Sequence, residues 1–167
     1  TLGNLMINPK FITFEGGEGS GKSTQVEMLA RAFKSHHFPI VCSREPGGSI
    51  GAEEIRDLIV SGRINRWQPK TEVFLHSAAR IEHVTQLIEP ALSSGKTVIC
   101  DRFFDSTFAY QGFGYGIDLT ELKKINEFAI GKLKPDVSVI LDLPVSEGLK
   151  RARARKSSED RYEKMNI

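Results

Sequence analysis

Gly16-Gly17-Glu18-Gly19-Ser20-Gly21-Lys22-Ser23 fits the spacing G-x-x-x-x-G-K-[ST]. Glycines in such a run let the backbone wrap an anion, turning several N–H groups toward phosphate oxygens. A helix beginning at this point adds its unsatisfied N–H groups and the positive end of its dipole. Lys22 is then placed to reach the β- and γ-phosphates of a nucleotide, and the Ser23 hydroxyl suits Mg²⁺. A glycine-rich turn without a ligand is the plainer alternative. The run, however, follows an apolar strand and precedes an amphipathic helix, which is where phosphate binding requires it.

Binding phosphate does not say what is done with it. Three further segments carry arginines at or near the carboxyl end of a strand: Arg44-Glu45-Pro46-Gly47-Gly48, Ser77-Ala78-Ala79-Arg80, and Asp101-Arg102 continuing to Gly112. Arginine's planar fork suits bidentate contact with phosphate. Arg102 stands out because it directly follows an apolar strand and its terminal aspartate. Arg151, Arg153 and Arg155 are spaced by two, so Arg151 and Arg155 share a helix face while Arg153 points away. His83 is expected to be exposed.

The elements that must position these groups alternate between β-type apolar runs and helical patterns, as in parallel strands joined by crossover helices. Strands are expected at 11–14, 39–42, 97–100 and 137–141. Val26, Leu29, Ala30 and Phe33 mark one helix, and Ile55, Leu58 and Ile59 a shorter one. A long helix is expected over 71–94, ended by Gly95. Residues 112–116 read as a glycine-aromatic loop, followed by a helix carrying Leu122, Ile125 and Ala129. The fold class is α/β: a three-layer P-loop fold, with a parallel sheet flanked by helices and an arginine-bearing lid at about 151–162. Residues 1–167 form one domain, with its C-terminal end expected to be missing.

A net charge of +2 over 167 residues gives no reason to expect nucleic acid or an anionic membrane as partner. No apolar run approaches the roughly 18 residues needed to span a bilayer, and a cytoplasmic location is expected. Cys42 and Cys100 each close an apolar run and are expected to be buried, reduced thiols.

From Lys10 to about Glu163 these motifs resemble those of bacterial thymidylate kinases, most specifically in the segment Asp101 to Gly112. The resemblance implies ATP and Mg²⁺ at Gly16 to Thr24, with Arg151 also near the donor, and dTMP as the acceptor. It implies that Arg56 and Arg102 hold the dTMP phosphate and that Arg80 contacts thymine. Ser106, Thr107, Tyr110 and Gln111 would line the nucleoside pocket, with Glu45 and Pro46 on a loop over sugar and phosphate. Glu18 would lie near the acceptor and metal, Asp101 would orient the metal's water shell, and Arg155 would act from the lid. His76 stands where the family carries an aromatic ring stacked on thymine. The family's dimeric state implies a homodimer, with the 71–94 helix as its natural interface.

Two other readings start from the same motif. A deoxynucleoside kinase would use Glu45 as a base toward a neutral hydroxyl, against which the cluster Arg56, Arg80 and Arg102 argues for a charged acceptor. A non-catalytic nucleotide sensor would need no acceptor constellation.

Overall fold

The computed structural model describes residues 8–63 and 65–154. Its strands are β1 Phe11–Gly16, β2 Ile40–Arg44, β3 Thr97–Asp101 and β4 Val137–Leu141. They form one sheet in the order β2-β3-β1-β4, with every pairing parallel. The helices are α1 Lys22–Ser35, α2 Ile50–Val60, α3 Pro69–His83, α4 Glu89–Ser93, α5 Phe104–Thr107, α6 Leu119–Ile130 and α7 Val145–Ala154.

Successive side chains of a strand point to opposite faces, so each central strand feeds two cores. On one face Phe11, Val98 and Cys100 pack with Val84, Ile88, Ala91, Phe103 and Ile130. On the other, Ile12, Phe14 and Ile99 meet Val26 and Ala30 of α1. This is the helix–sheet–helix layering expected from the sequence. β1 and β3 are central and almost wholly buried, whereas Val137 and Ile140 of the edge strand β4 remain exposed among the described residues.

Three expectations are corrected. The helix expected over 71–94 is not uniform. Between α3 and α4 lies a π-helical turn, Val84–Ile88, in which the Glu89 amide donates to the Val84 carbonyl five residues back. Pro90 explains this, because it has no N–H and its ring would crowd the carbonyl one α-turn earlier; a wider turn relieves the conflict. Gly95 does end the segment as foreseen: at φ +81°, its amide donates to Leu92 and that of Lys96 to Ala91.

The expected loop at 112–116 is helical through Gly114, again as a π-helical stretch, Phe108–Gly114. Gly112 is needed there for close approach, since a β-carbon would press on Leu119 and Leu122 of α6. Finally, only Cys100 is buried; Cys42 lies on the edge strand β2 and is exposed.

Ile88 is fully buried in the π turn, inside the core that seats α4 on the sheet. Ile88→Ala should lower the unfolding free energy by about 2–5 kcal/mol, read as a shift of the urea midpoint at constant m-value.

Candidate active site

Ligands of open α/β sheets bind beyond the carboxyl ends of the strands, where the connections diverge. Here β1 ends in the glycine loop, β2 in Arg44-Glu45 and β3 in Asp101-Arg102, so the sheet delivers all three motifs to one edge. A cavity of about 370 Å³ opens there.

The glycine loop occupies one end of it. Gly16, Gly19 and Gly21 all have positive φ, and Gly21 caps α1 in the left-handed region without any side-chain cap bond. The first amides of α1 are thus left to an anion. A β-carbon on Gly19 would collide with the Gly148 carbonyl, so α7 is seated directly against the loop.

Lys22 is buried, with Nζ donating to the carbonyls of Gly16 at 3.0 Å and Gly17 at 2.8 Å. Burial, together with the Arg102 charge, lowers its pKa to about 8. Ser23 Oγ donates to Asp101 Oδ2 at 2.6 Å, placing a hydroxyl and a carboxylate at one point beside the loop. That all-oxygen pair fits Mg²⁺, which completes its octahedron with phosphate and water oxygens rather than a full protein cage. The described residues contain no group of three or more His, Cys, Asp or Glu side chains able to hold a metal.

At the other end stand Arg44, Arg56, Arg80 and Arg102. Arg102 adopts φ +70°, a left-handed conformation uncommon outside glycine. Its guanidinium donates to the Gly16 carbonyl at 3.1 Å and Ser106 Oγ at 3.0 Å, pairs with Glu18, and lies over the Tyr110 ring. Burial opposes its charge, but Tyr110, Glu18, Asp101 and Glu15 more than offset this and raise its pKa, so it stays cationic.

Arg80, 3% exposed, donates through Nε to Glu45 Oε2 at 2.7 Å and through a terminal nitrogen to Thr107 Oγ1 at 3.0 Å. Arg56 donates to the Pro46 carbonyl at 2.6 Å. Gln111 Nε2 reaches Glu72 Oε2 at 3.4 Å, and His76 lines the wall.

A glycine loop thus lies on one side of the cavity and four arginines on the other, and the relatives agree. The thymidylate kinase family matches residues 14–167. A thymidylate kinase of Bradyrhizobium sp. is 50% identical over 160 residues, covering 95% of this chain and 71% of its own length. One from Ruegeria pomeroyi is 48% identical over 154 residues, covering 92% and 72%. The crystal structure of thymidylate kinase from Ehrlichia chaffeensis superposes with a TM-score of 0.76 at 39% identity, over 89% of this chain and 79% of that one.

The chain belongs to the thymidylate kinase family.

Of the residues expected from the thymidylate kinase resemblance, Glu18, Gly19, Gly21, Lys22, Ser23, Glu45, Pro46, Arg56, His76, Arg80, Asp101, Arg102, Ser106, Thr107, Tyr110 and Gln111 line the one cavity. Gly16, Gly17, Ser20 and Thr24 do not line it, although Gly16 and Gly17 bond to Lys22 through their carbonyls. Arg151 also stays outside it, half-exposed and paired with Glu147 along α7 at 3.0 Å. Arg155 and most of the expected lid fall outside the described residues.

His83, expected to be exposed, is fully buried. Its Nδ1 lies 3.1 Å from Glu45 Oε1 and its Nε2 2.6 Å from Ser43 Oγ, so it braces the loop after β2 from below. Glu45 is buried too; burial raises its pKa, but Arg80 and His83 outweigh that and hold it below the usual carboxylate value.

Glu15 and Glu72 were missed. Both are buried carboxyls behind the cavity wall, and a charged residue ending an otherwise apolar strand was the available signal for Glu15. Its pKa is pushed up to about 7 by burial, against hydrogen bonds from Ser106 and Phe103. A folded-state value above the unfolded one of 4.5 means that stability is fully present below about pH 4.5 and is lost as pH rises toward 7. Glu15→Gln abolishes that loss. Thermal melting of both proteins between pH 5 and 8 should show the variant gaining on the parent as pH rises.

Proposed function

We propose that the protein transfers the γ-phosphate of ATP to dTMP, giving dTDP and ADP, within a single P-loop kinase domain. The observation that carries this reading is the sharing of one cavity by Lys22 of the phosphate loop and by Arg56, Arg80 and Arg102. The family names supply the nucleotides.

A phosphate monoester has a second pKa of about 6, so the acceptor is largely dianionic at neutral pH and needs no general base. The obstacle is repulsion between two polyanions, and fixed cations reduce it. The chain's own groups divide this work. Loop amides of residues 16–24 receive the donor phosphates, and Lys22 exchanges its carbonyl partners for phosphate oxygens, which restores its full positive charge. Ser23 and Asp101 would hold Mg²⁺, which neutralises charge on the donor phosphates.

Arg102 and Arg56 take the acceptor phosphate. Arg102 releases Glu18 as it does so, leaving Glu18 beside acceptor and metal. Arg80, anchored by Glu45, presents its guanidinium to the base. His76 stacks on thymine, while Ser106, Thr107, Tyr110 and Gln111 complete the nucleoside wall. Arg155, with Arg151, closes from the lid.

This reading includes a homodimer, which is supported by an apolar cleft of about 340 Å³ between α3 and α6. Phe74 and Phe128 are exposed beside it at 62% and 87%, as at surfaces that meet a partner. A cytoplasmic location is proposed as well; no described helix is long and apolar enough to cross a membrane.

Supplying ATP with dTMP, dUMP or thymidine in a coupled ADP assay tests the acceptor. ADP should appear with dTMP and not with thymidine; the reverse would favour a hydroxyl acceptor with Glu45 as base. Arg102→Ala should lower kcat/KM for dTMP about 100- to 1,000-fold, with KM for ATP changed less than about twofold. Unchanged kinetics would remove Arg102 from the acceptor site. Phe128→Asp should convert a dimer to monomer in sedimentation velocity.

A further inference from the structure

Glu15 is 4% exposed at the end of β1, yet it does not line the cavity. Both of its carboxylate oxygens are engaged. Oε1 accepts the Phe103 amide at 2.6 Å, and Oε2 accepts the Ser106 hydroxyl at 2.7 Å. Those partners flank Arg102. Phe103 is the next residue and the N-cap of α5, while the Ser106 oxygen that donates to Glu15 accepts from the Arg102 guanidinium at 3.0 Å. The Arg102 amide is itself tied to the Phe14 carbonyl at 2.8 Å, one residue before Glu15.

We propose that Glu15 is a positioning residue for the acceptor phosphate, holding the backbone after Arg102 and the hydroxyl beside its guanidinium so that the left-handed turn at φ +70° aims Arg102 into the cavity.

Three considerations support it. A non-glycine residue at that φ persists only where its surroundings over-determine it, and Glu15 binds the next residue along the chain. The orientation of the guanidinium needs an acceptor on the side away from the phosphate. Ser106 can be that acceptor because its own proton is given to Glu15, which fixes the direction of the whole chain of bonds. Last, a carboxyl that burial pushes up to about 7 is a poor way to gain stability. An uncharged isostere would serve packing better, so the carboxyl's two hydrogen bonds fit a role in geometry.

The inference rests on the assignment of Arg102 to the acceptor, and the experiment separates the two. Glu15→Gln keeps an oxygen for the Phe103 amide, but its NH₂ would donate to Ser106 and reverse that bond. Glu15→Asp keeps the charge on a side chain too short to span both partners. Steady-state kinetics in ATP and dTMP are to be measured for the parent, Glu15→Gln, Glu15→Asp, Arg102→Ala and the double variant Glu15→Gln with Arg102→Ala, beside thermal melting.

Glu15→Gln is expected to lower kcat/KM for dTMP about 10- to 100-fold, as misplacement of a catalytic group does. KM for ATP should stay within about twofold, and the melting temperature should be unchanged or higher at pH 8. In the Arg102→Ala background the same change should add less than about twofold, since it acts through a group no longer there.

A melting temperature that falls in step with activity, equal loss toward ATP and dTMP, or multiplicative effects in the double variant would overturn the proposal. Arg102→Ala impaired with Glu15→Gln normal would overturn this inference alone. Arg102→Ala with parental kinetics would overturn the acceptor reading and this inference together.

Discussion

Three arginines at the cavity, Arg44, Arg80 and Arg102, are held in place by acids, and the site depends on that pairing. Arg102 is paired with Glu18 and reaches Glu15 through Ser106; Arg80 is fixed by Glu45; Arg44 bonds Glu53 at 3.0 Å. Arginines facing one another without such partners would repel and swing into solvent. With them, the positive groups stand converged before any phosphate arrives. The ordering cost is then met in folding rather than in binding, and the acids add enough negative charge to keep the empty cavity from being a concentrated cation.

Not all of these pairs are alike. Glu45, Arg80 and His83 are buried, so removing one member would leave a charge or donor without water to replace it. That set is a fixed part of the wall. The Glu18–Arg102 pair is more open, with Glu18 33% exposed at its side chain, and it is the one a phosphate can replace. Lys22 is bonded to the loop carbonyls of Gly16 and Gly17, neutral partners that the proposed mechanism exchanges for phosphate oxygens. Buried pairs therefore set the geometry, and the more open ones lie where the proposed mechanism brings the phosphates together.

Much of this was legible from residue types. The glycine run declares a phosphate loop, because glycine takes the positive φ found at Gly16, Gly19 and Gly21 far more readily than other residues. Strands β1, β3 and β4 follow from apolar runs, and Asp101-Arg102 from its place at a strand end. What could not be read were the supports. Glu15 lies in the glycine segment and looks like its first residue; its role depends on β3 lying beside β1, a contact between residues 88 apart in the chain. His83 and Glu45 are 38 apart and meet only through the packing of α3 beneath β2. Cys42 closes an apolar run as Cys100 does, yet one strand is at the sheet edge and the other central, so only Cys100 is buried.

Two π-helical stretches lie close to the site. Val84–Ile88 directly follows His83, and Phe108–Gly114 contains Tyr110 and Gln111. Through the first stretch Val84 and Ile88, with Ala91 just beyond it, still share the buried face. In the second stretch the altered winding lets Tyr110 lie against Arg102 while Gln111, its neighbour in sequence, reaches Glu72 of α3. Adjacent residues in a regular helix diverge by about 100°, too far apart for both to serve one cavity with ease. In this wider winding the angle between neighbours is smaller, and Tyr110 and Gln111 both line the cavity.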